Sequence, residues 1–275
     1  MSIKVNTLFS LQDKVAIVTG ALGLLGKQHC LALAEAGASV VVTDINHEKC
    51  VEFANELSKS YAPSLGFGAN ITSKDSIEKL RDAALSQFGH IDILVNNAAI
   101  NDMFENPTAA ADLSKFENYP LDLWQKSIDV NVTGVFICAQ IIGTQMAKQG
   151  KGSIINVAST YGIVAPDQSI YKKPDGSQTF WKSIAYPATK GAVISMTRFL
   201  ATYWGEKGVR ANSLSPGGVE NSQDEYFLKN YSAKTPLGRM AENTDYKGAI
   251  VFLASDASSY MTGSNLVVDG GWTAW

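Results

Sequence analysis

Tyr186 and Lys190 stand four residues apart in a stretch, 183–205, whose apolar spacing predicts a helix, so the two side chains share one face. A phenol titrates at about pH 10 in water and is too weak an acid to serve as a base near neutrality. An ammonium beside it stabilises the phenolate and lowers that value. Such a pair can take a proton from an alcohol or return one to a carbonyl. Ser159 is expected at the end of a strand, where its hydroxyl can donate to a developing alkoxide. Asn131 interrupts the apolar run of Ile128, Val130, Val132 and Val135, and an amide there needs partners. Taken singly each has an ordinary reading: YxxxK recurs by chance, serine caps turns, and a core asparagine can be satisfied by backbone.

A second group of residues suits a dinucleotide. Residues 14–19 read as a strand, followed by Gly20-Ala21-Leu22-Gly23-Leu24-Leu25-Gly26 and a helix over 26–36. Glycines let the chain turn tightly and approach a pyrophosphate, and the helix start adds N–H groups and a positive dipole end. Asp44 closes the next strand, 24 residues beyond Gly20, where a carboxylate accepts from both adenosine ribose hydroxyls. It would repel a 2′-phosphate. No Arg or Lys lies between Gly20 and Gly26 or directly after Asp44, so NAD(H) is favoured over NADP. The plain alternative for Asp44 is a helix N-cap.

These residues need a frame. Continuous Val- and Ile-rich strands at 14–19, 39–43, 65–69, 91–96, 153–158, 210–214 and 265–268 alternate with helices. The helices are expected at 26–36, 47–59, 73–87, 122–148, 183–205 and 243–253. That alternation implies right-handed crossovers and a doubly wound parallel α/β sheet of about seven strands, covered on both faces. No repeat or linker divides the 275 residues, so one domain, 1–275, is expected after an arm at 1–10.

Composition narrows the partners. The 45% hydrophobic and 18% charged content excludes a disordered chain, and the net charge of −3 argues against nucleic acid or a polybasic membrane patch. No apolar run approaches a membrane span, and the start lacks a secretory signal. Cys30, Cys50 and Cys138 are widely spaced, as in a reduced, cytoplasmic protein, and no metal site is expected among the three histidines.

Together, Gly20 to Gly26, Asn96-Asn97-Ala98-Ala99, Asn131, Ser159, Tyr186-x-x-x-Lys190, Ser215-Pro216-Gly217 and Val268-Asp269-Gly270-Gly271 resemble the short-chain dehydrogenase/reductases in order and content. The resemblance spans about 11–271 and implies a Rossmann-like fold and hydride transfer between a nicotinamide and a carbon-bound hydroxyl. It makes Asn131, Ser159, Tyr186 and Lys190 catalytic, with Lys190 also on the nicotinamide ribose and Asn131 holding a relay water. It assigns the cofactor to Gly20, Gly23, Leu24, Leu25, Gly26, Asp44, Ile45, Asn70, Ile71, Asn97, Ala98, Ala99, Pro216, Gly217 and Val219, besides Tyr186 and Lys190. It also implies a homo-oligomer, dimer or tetramer, paired through the two long helices and the C-terminal strand region.

The chain departs from the pattern in places. Its glycine turn is GxxGxxG where GxxxGxG is usual, and NNAA replaces NNAG. Ser159 and Tyr186 are 27 residues apart, far more than is usual, because 162–182 is inserted. The turn and the insertion are similar to a bacterial subgroup of flagellin-modification and nonulosonic-acid-pathway oxidoreductases.

Two long loops, 101–119 and 162–182, and a lid at 217–239 should lie at the carboxyl edge of the sheet, where open α/β sheets bind ligands. Glu220, Asn221, Gln223, Tyr226 and Tyr231 suit a hydroxyl-rich ligand. Tyr171, Lys172, Lys173, Trp181 and Lys182 suit a sugar bearing phosphate or nucleotide. The expected substrate is therefore a small sugar-type alcohol or ketone. A 3-oxoacyl-carrier-protein reductase and a non-catalytic dinucleotide sensor or scaffold are the competing readings. The closing Trp272-Thr273-Ala274-Trp275 is expected to dock on a neighbouring copy.

Overall fold

Hydrophobic alternation within each strand divides the core into two layers. In β1 (Val15–Thr19) the odd residues Val15 and Ile17 face one layer and Ala16 and Val18 the other. A computed structural model of the chain describes residues 4–101 and 112–275. The remaining strands are β2 (Ser39–Asp44), β3 (Leu65–Gly68), β4 (Ile93–Asn96), β5 (Gly152–Val157), β6 (Val209–Pro216) and β7 (Asn265–Val268). They form one parallel sheet in the order β3-β2-β1-β4-β5-β6-β7. The order reverses between β1 and β4, which opens a crevice at their carboxyl ends.

Helices cover both faces. After a single turn α1 (Val5–Leu8), helix α2 (Leu24–Glu35) packs Cys30 and Leu33 on one face with Ile250 and Leu253 of the later helix Lys247–Ala254. Helix α3 (His47–Ser60) shares that face at the β2–β3 edge, through Cys50, Ala54 and Leu57, and the other face carries α4 (Lys74–Phe88), α5 (Leu121–Gln149) and α6 (Ala185–Trp204). Ile77, Leu80, Ile142, Met146 and Trp204 meet there. The last two helices are α7 (Glu225–Ala233) and α8 (Lys247–Ala254). All three cysteines are buried.

Several sequence expectations shift. Helix α2 starts two residues early because Gly23, in extended conformation, serves as its N-cap. Helix α5 has 29 residues and is apolar enough to cross a membrane by length and composition, contrary to expectation. Its buried half packs against the sheet, which accounts for that apolarity. The insertion is not structureless: Gln168–Tyr171 forms a 3-10 turn and Lys172 bridges to Gln178. The lid contains α7. Residues 102–111 of the first long loop, and 1–3 of the arm, lie outside the described residues.

The C-terminal tail also differs. Trp272 stacks on Tyr231 within the same chain, ring centroids 4.3 Å apart, because Asp269 accepts from the backbone and hydroxyl of Thr273 and folds the tail back. Trp275 remains exposed. Tyr231 continues a row of rings, through Phe227 (6.0 Å) and Tyr171 (5.3 Å) to Phe180 (5.1 Å).

His29 of α2 is fully buried, with no hydrogen-bond partner at either ring nitrogen among the described residues. Burial pulls its pKa from 6.5 down to about 4. Between those values the unfolded chain holds the extra proton, so stability falls as pH falls through that window. A shift of this size corresponds to about 3 kcal/mol. Denaturant titrations at pH 7 and pH 4 should differ by that order in the wild type and by much less in His29→Leu.

Candidate active site

The carboxyl ends of six strands, β1 to β6, supply the site. Ser159 follows β5 and caps the short turn Thr160–Gly162, its Oγ accepting from the Tyr161 N–H at 3.2 Å. Tyr186 and Lys190 sit one turn apart near the start of α6. Burial holds the Tyr186 phenol above its ordinary value, with the Ser159 hydroxyl pulling weakly the other way. Lys190 Nζ donates to the Val157 carbonyl at 2.7 Å and lies 5.7 Å from the Tyr186 ring centre. Burial lowers Lys190 to about 8, so it is still mostly charged at neutral pH. The expected lowering of the phenol by Lys190 therefore does not dominate in the protein alone, since that ammonium is turned towards a backbone carbonyl.

Asn131 lies in α5 where the helix widens into a π-turn, Asp129–Thr133. Its Oδ1 accepts from Ile100 N–H (2.8 Å), and its Nδ2 donates to Ile100 O (2.9 Å) and Thr189 Oγ1 (3.3 Å). Thr189 in turn donates to the Tyr186 carbonyl at 2.9 Å. The amide thus ties the chain beyond β4 to the turn of α6 that carries Tyr186.

The glycine turn is built on close approach. Gly20 has φ +63°, and a Cβ there would fall 2.6 Å from Ala98 Cα. A Cβ on Gly26 would fall 2.1 Å from the Gly20 carbonyl oxygen. Asp44 spans the turn: Oδ2 accepts from Leu22 N–H (3.2 Å) and Oδ1 from Ile45 N–H (2.8 Å). Asn46, not Asp44, caps α3, so the plain alternative for Asp44 does not hold. Ile45 is exposed beside it.

On the β4 side, Asn97 Nδ2 donates to the carbonyls of Thr19 and Gly20, each at 3.0 Å. Thr19 Oγ1 accepts from the N–H groups of Asn97 (3.1 Å) and Ala98 (3.2 Å). Ala99 follows, exposed. Asn70 Oδ1 is taken by the backbone and hydroxyl of Thr72, while Ile71 is buried against Gly134 of α5. An adenine amino group would thus compete with Thr72 for the Asn70 oxygen.

Leu24, Leu25, Pro216, Gly217 and Val219 line one cavity of about 330 Å³ together with Ser159 and Tyr186. A dinucleotide fits this arrangement: a glycine cradle at a helix start, a carboxylate at the end of β2, and a cavity joining the cradle to the hydroxyl pair. Of the expected substrate contacts, Tyr171, Lys182, Gln223 and Tyr231 line this cavity. Trp181 faces a neighbouring cavity of about 450 Å³, and Lys172, Glu220 and Asn221 are exposed. Tyr231 is mainly structural, since its hydroxyl accepts from Gly218 N–H at 2.6 Å. Sequence reasoning passed over Thr19, Asn101 and Thr189. Only Thr19 carried a signal, as the hydroxyl ending β1 just before the turn.

Residues 20–273 match a family model described as enoyl-(acyl carrier protein) reductase. The chain is 33% identical over 270 residues to a D-threitol dehydrogenase of Mycolicibacterium smegmatis, covering 96% of this chain and 95% of that protein. It is also 33% identical over 270 residues to an NAD-dependent glycerol dehydrogenase of Listeria innocua, covering 96% of each. Among solved structures, a gluconate 5-dehydrogenase from Burkholderia cenocepacia, in complex with NADP and tartrate, superposes with a TM-score of 0.86. It is 30% identical, over 99% of this chain and 100% of that one. With the sheet order, the glycine turn and the Ser159–Tyr186–Lys190 cluster in hand, these likenesses establish that the chain belongs to the short-chain dehydrogenase/reductase family.

Proposed function

We propose that this protein is an NAD(H)-dependent oxidoreductase that interconverts a secondary alcohol of a polyol or sugar with the corresponding ketone. The observation that carries the reading is the placing of the two hydroxyls, Ser159 and Tyr186, on the wall of the cavity that Leu24, Leu25, Pro216 and Gly217 also line. The bound dinucleotide supplies a hydride acceptor or donor. The chain does the rest: Ser159 donates to the substrate oxygen, and Tyr186 takes the proton from that oxygen or returns it. Lys190 carries positive charge behind the phenol at neutral pH. Asn131 and Thr189 hold the helix turn in place.

A hydroxyl-rich substrate suits the polar side chains of the cavity, Asn101, Gln223 and Lys182. Relatives named for threitol and glycerol support the same class. Asp44 supports NAD, since its carboxylate ends β2 with two backbone N–H groups fixing it. The test is NADH formation or consumption against polyols, free sugars, sugar phosphates, nucleotide-linked sugars and a 3-oxoacyl thioester, each with NAD(H) and NADP(H). Turnover confined to the thioester with NADPH would overturn the reading. Asp44→Ala should weaken NAD binding about 10–100-fold, the worth of a charged hydrogen-bond acceptor, and narrow the preference over NADP. An unchanged NAD-to-NADP ratio would remove Asp44 from the ribose.

Self-association is part of the proposal. Phe199 and Tyr203 stack 5.6 Å apart on α6 and stay 63% and 60% exposed, with Phe136 of α5 also open. A second copy of the chain would cover this apolar face. Sedimentation of the purified protein reads the copy number.

A further inference from the structure

The insertion that separates Ser159 from Tyr186 ends on Lys182, and its construction fixes that residue. Gln168 clamps the Lys182 backbone from both sides, Oε1 accepting its N–H at 2.9 Å and Nε2 donating to its carbonyl at 3.0 Å. The preceding residue is held as well, Trp181 N–H donating to Ser114 Oγ at 3.1 Å. Asp167, next to the clamp, pairs with Lys234 just beyond α7 at 2.5 Å. The Lys182 side chain bonds Asn101 Oδ1, and its Nζ lies over the Tyr186 ring, 4.2 Å from the ring centre. That is closer than Lys190, at 5.7 Å, whose ammonium is engaged by Val157 O.

We infer that Lys182 is a positioning residue for the reacting phenol, a second ammonium that holds the Tyr186 ring and favours its ionised form. The inference rests on the reading of Tyr186 as the proton-transferring group. A cation over an aromatic face is attracted to it, and the attraction grows when the ring system carries the negative charge of a phenolate. Among the described residues, few groups face Tyr186. Lys190 comes from α6, Ser159 from the end of β5, and Lys182 and Tyr171 from the insertion. Tyr171 is pushed up to about 12 by burial, so it stays neutral and sets no negative charge against the ammonium. No acidic side chain among the described residues lines the cavity. In this chain a lysine outside the YxxxK pair thus faces the phenol, at the end of an inserted segment.

The titration of Tyr186 can be read without any substrate. The protein is labelled with difluorotyrosine, which brings phenol titration into a range that folded proteins tolerate. The Tyr186 fluorine resonance is the one missing from Tyr186→Phe, and its shift is followed against pH with and without NAD. Lys182→Met should raise the midpoint by about one pH unit, the effect of losing one charge a few ångströms away in a partly solvated site. Lys182→Arg should retain most of the wild-type value. Equal midpoints in the wild type and Lys182→Met would overturn the inference, and so would an equal rise in the Met and Arg variants. Should Lys182→Met fail to fold, Lys182→Gln keeps a partner for Asn101 and the same comparison applies. Where turnover is found, the acid limb of kcat for alcohol oxidation should move up with the midpoint, with KM for NAD unchanged. A protein with no turnover on any alcohol would defeat the functional reading while leaving the titration intact, so the two failures are distinguishable.

Discussion

Tyr186→Phe is expected to lower turnover about 10³-fold, within the range that a positioned acid–base group contributes. The substitution removes one oxygen and keeps the ring, so packing in the cavity and the cation contacts of the ring are preserved. Ser159 remains, and with it hydrogen bonding to the substrate oxygen, which explains a residual rate rather than none. Dinucleotide binding should stay within a few-fold, because the Gly20–Gly26 turn and Asp44 belong to β1, α2 and β2 and are left intact by a change on α6. Initial rates of NADH change and a fluorescence titration of NADH separate the two effects. A variant that kept a tenth of the wild-type rate would take the proton-transfer role away from Tyr186. Loss of turnover with partner binding intact is also the result that distinguishes an enzyme from a dinucleotide-sensing scaffold.

The second large effect is structural. Gly26→Ala places a Cβ 2.1 Å from Gly20 O and 2.9 Å from Ala21 Cα. Both are backbone atoms, so no side-chain rotation relieves the clash, and α2 must move away from the turn. A loss of about 2–4 kcal/mol is expected, in line with severe core overpacking, together with at least tenfold weaker NAD binding. Gly23→Ala is the control: its Cβ would meet only Gly20 O, at 3.3 Å, and the effect should be small. Urea unfolding of both variants checks the contrast. Equal stability of Gly26→Ala and the wild type would mean that the helix and turn are not packed as described.

The same comparison explains what could be read from the sequence. Strands β1, β2 and β5 were legible because each is rich in β-branched residues bounded by glycine or polar turns, and β7, Asn265–Val268, falls where expected. Gly20, Asp44, Ser159, Tyr186 and Lys190 were legible because strand ends and helical spacing alone bring them to one edge. The insertion was not. Its conformation depends on Gln168 gripping a residue 14 positions away and on Tyr171 finding Phe180 and Phe227, which no local periodicity encodes. The fold-back of Trp272 was hidden for a related reason. Trp272 reads as an apolar end awaiting a neighbour until Asp269 turns it onto Tyr231. The direction of the Lys190 ammonium was equally hidden, since its partner is a main-chain carbonyl.

The row of rings from Phe180 through Tyr171, Phe227 and Tyr231 to Trp272 couples three segments far apart in the chain: the insertion, α7 and the C-terminal end. Rings packed in series bury their faces and edges against one another, so each of the three segments helps to fix the other two. The seam also borders the cavity, since Tyr171, Phe227 and Tyr231 are among the residues that line it. The wall of that cavity is thus held in place partly by Trp272, a residue of the C-terminal end that does not line it.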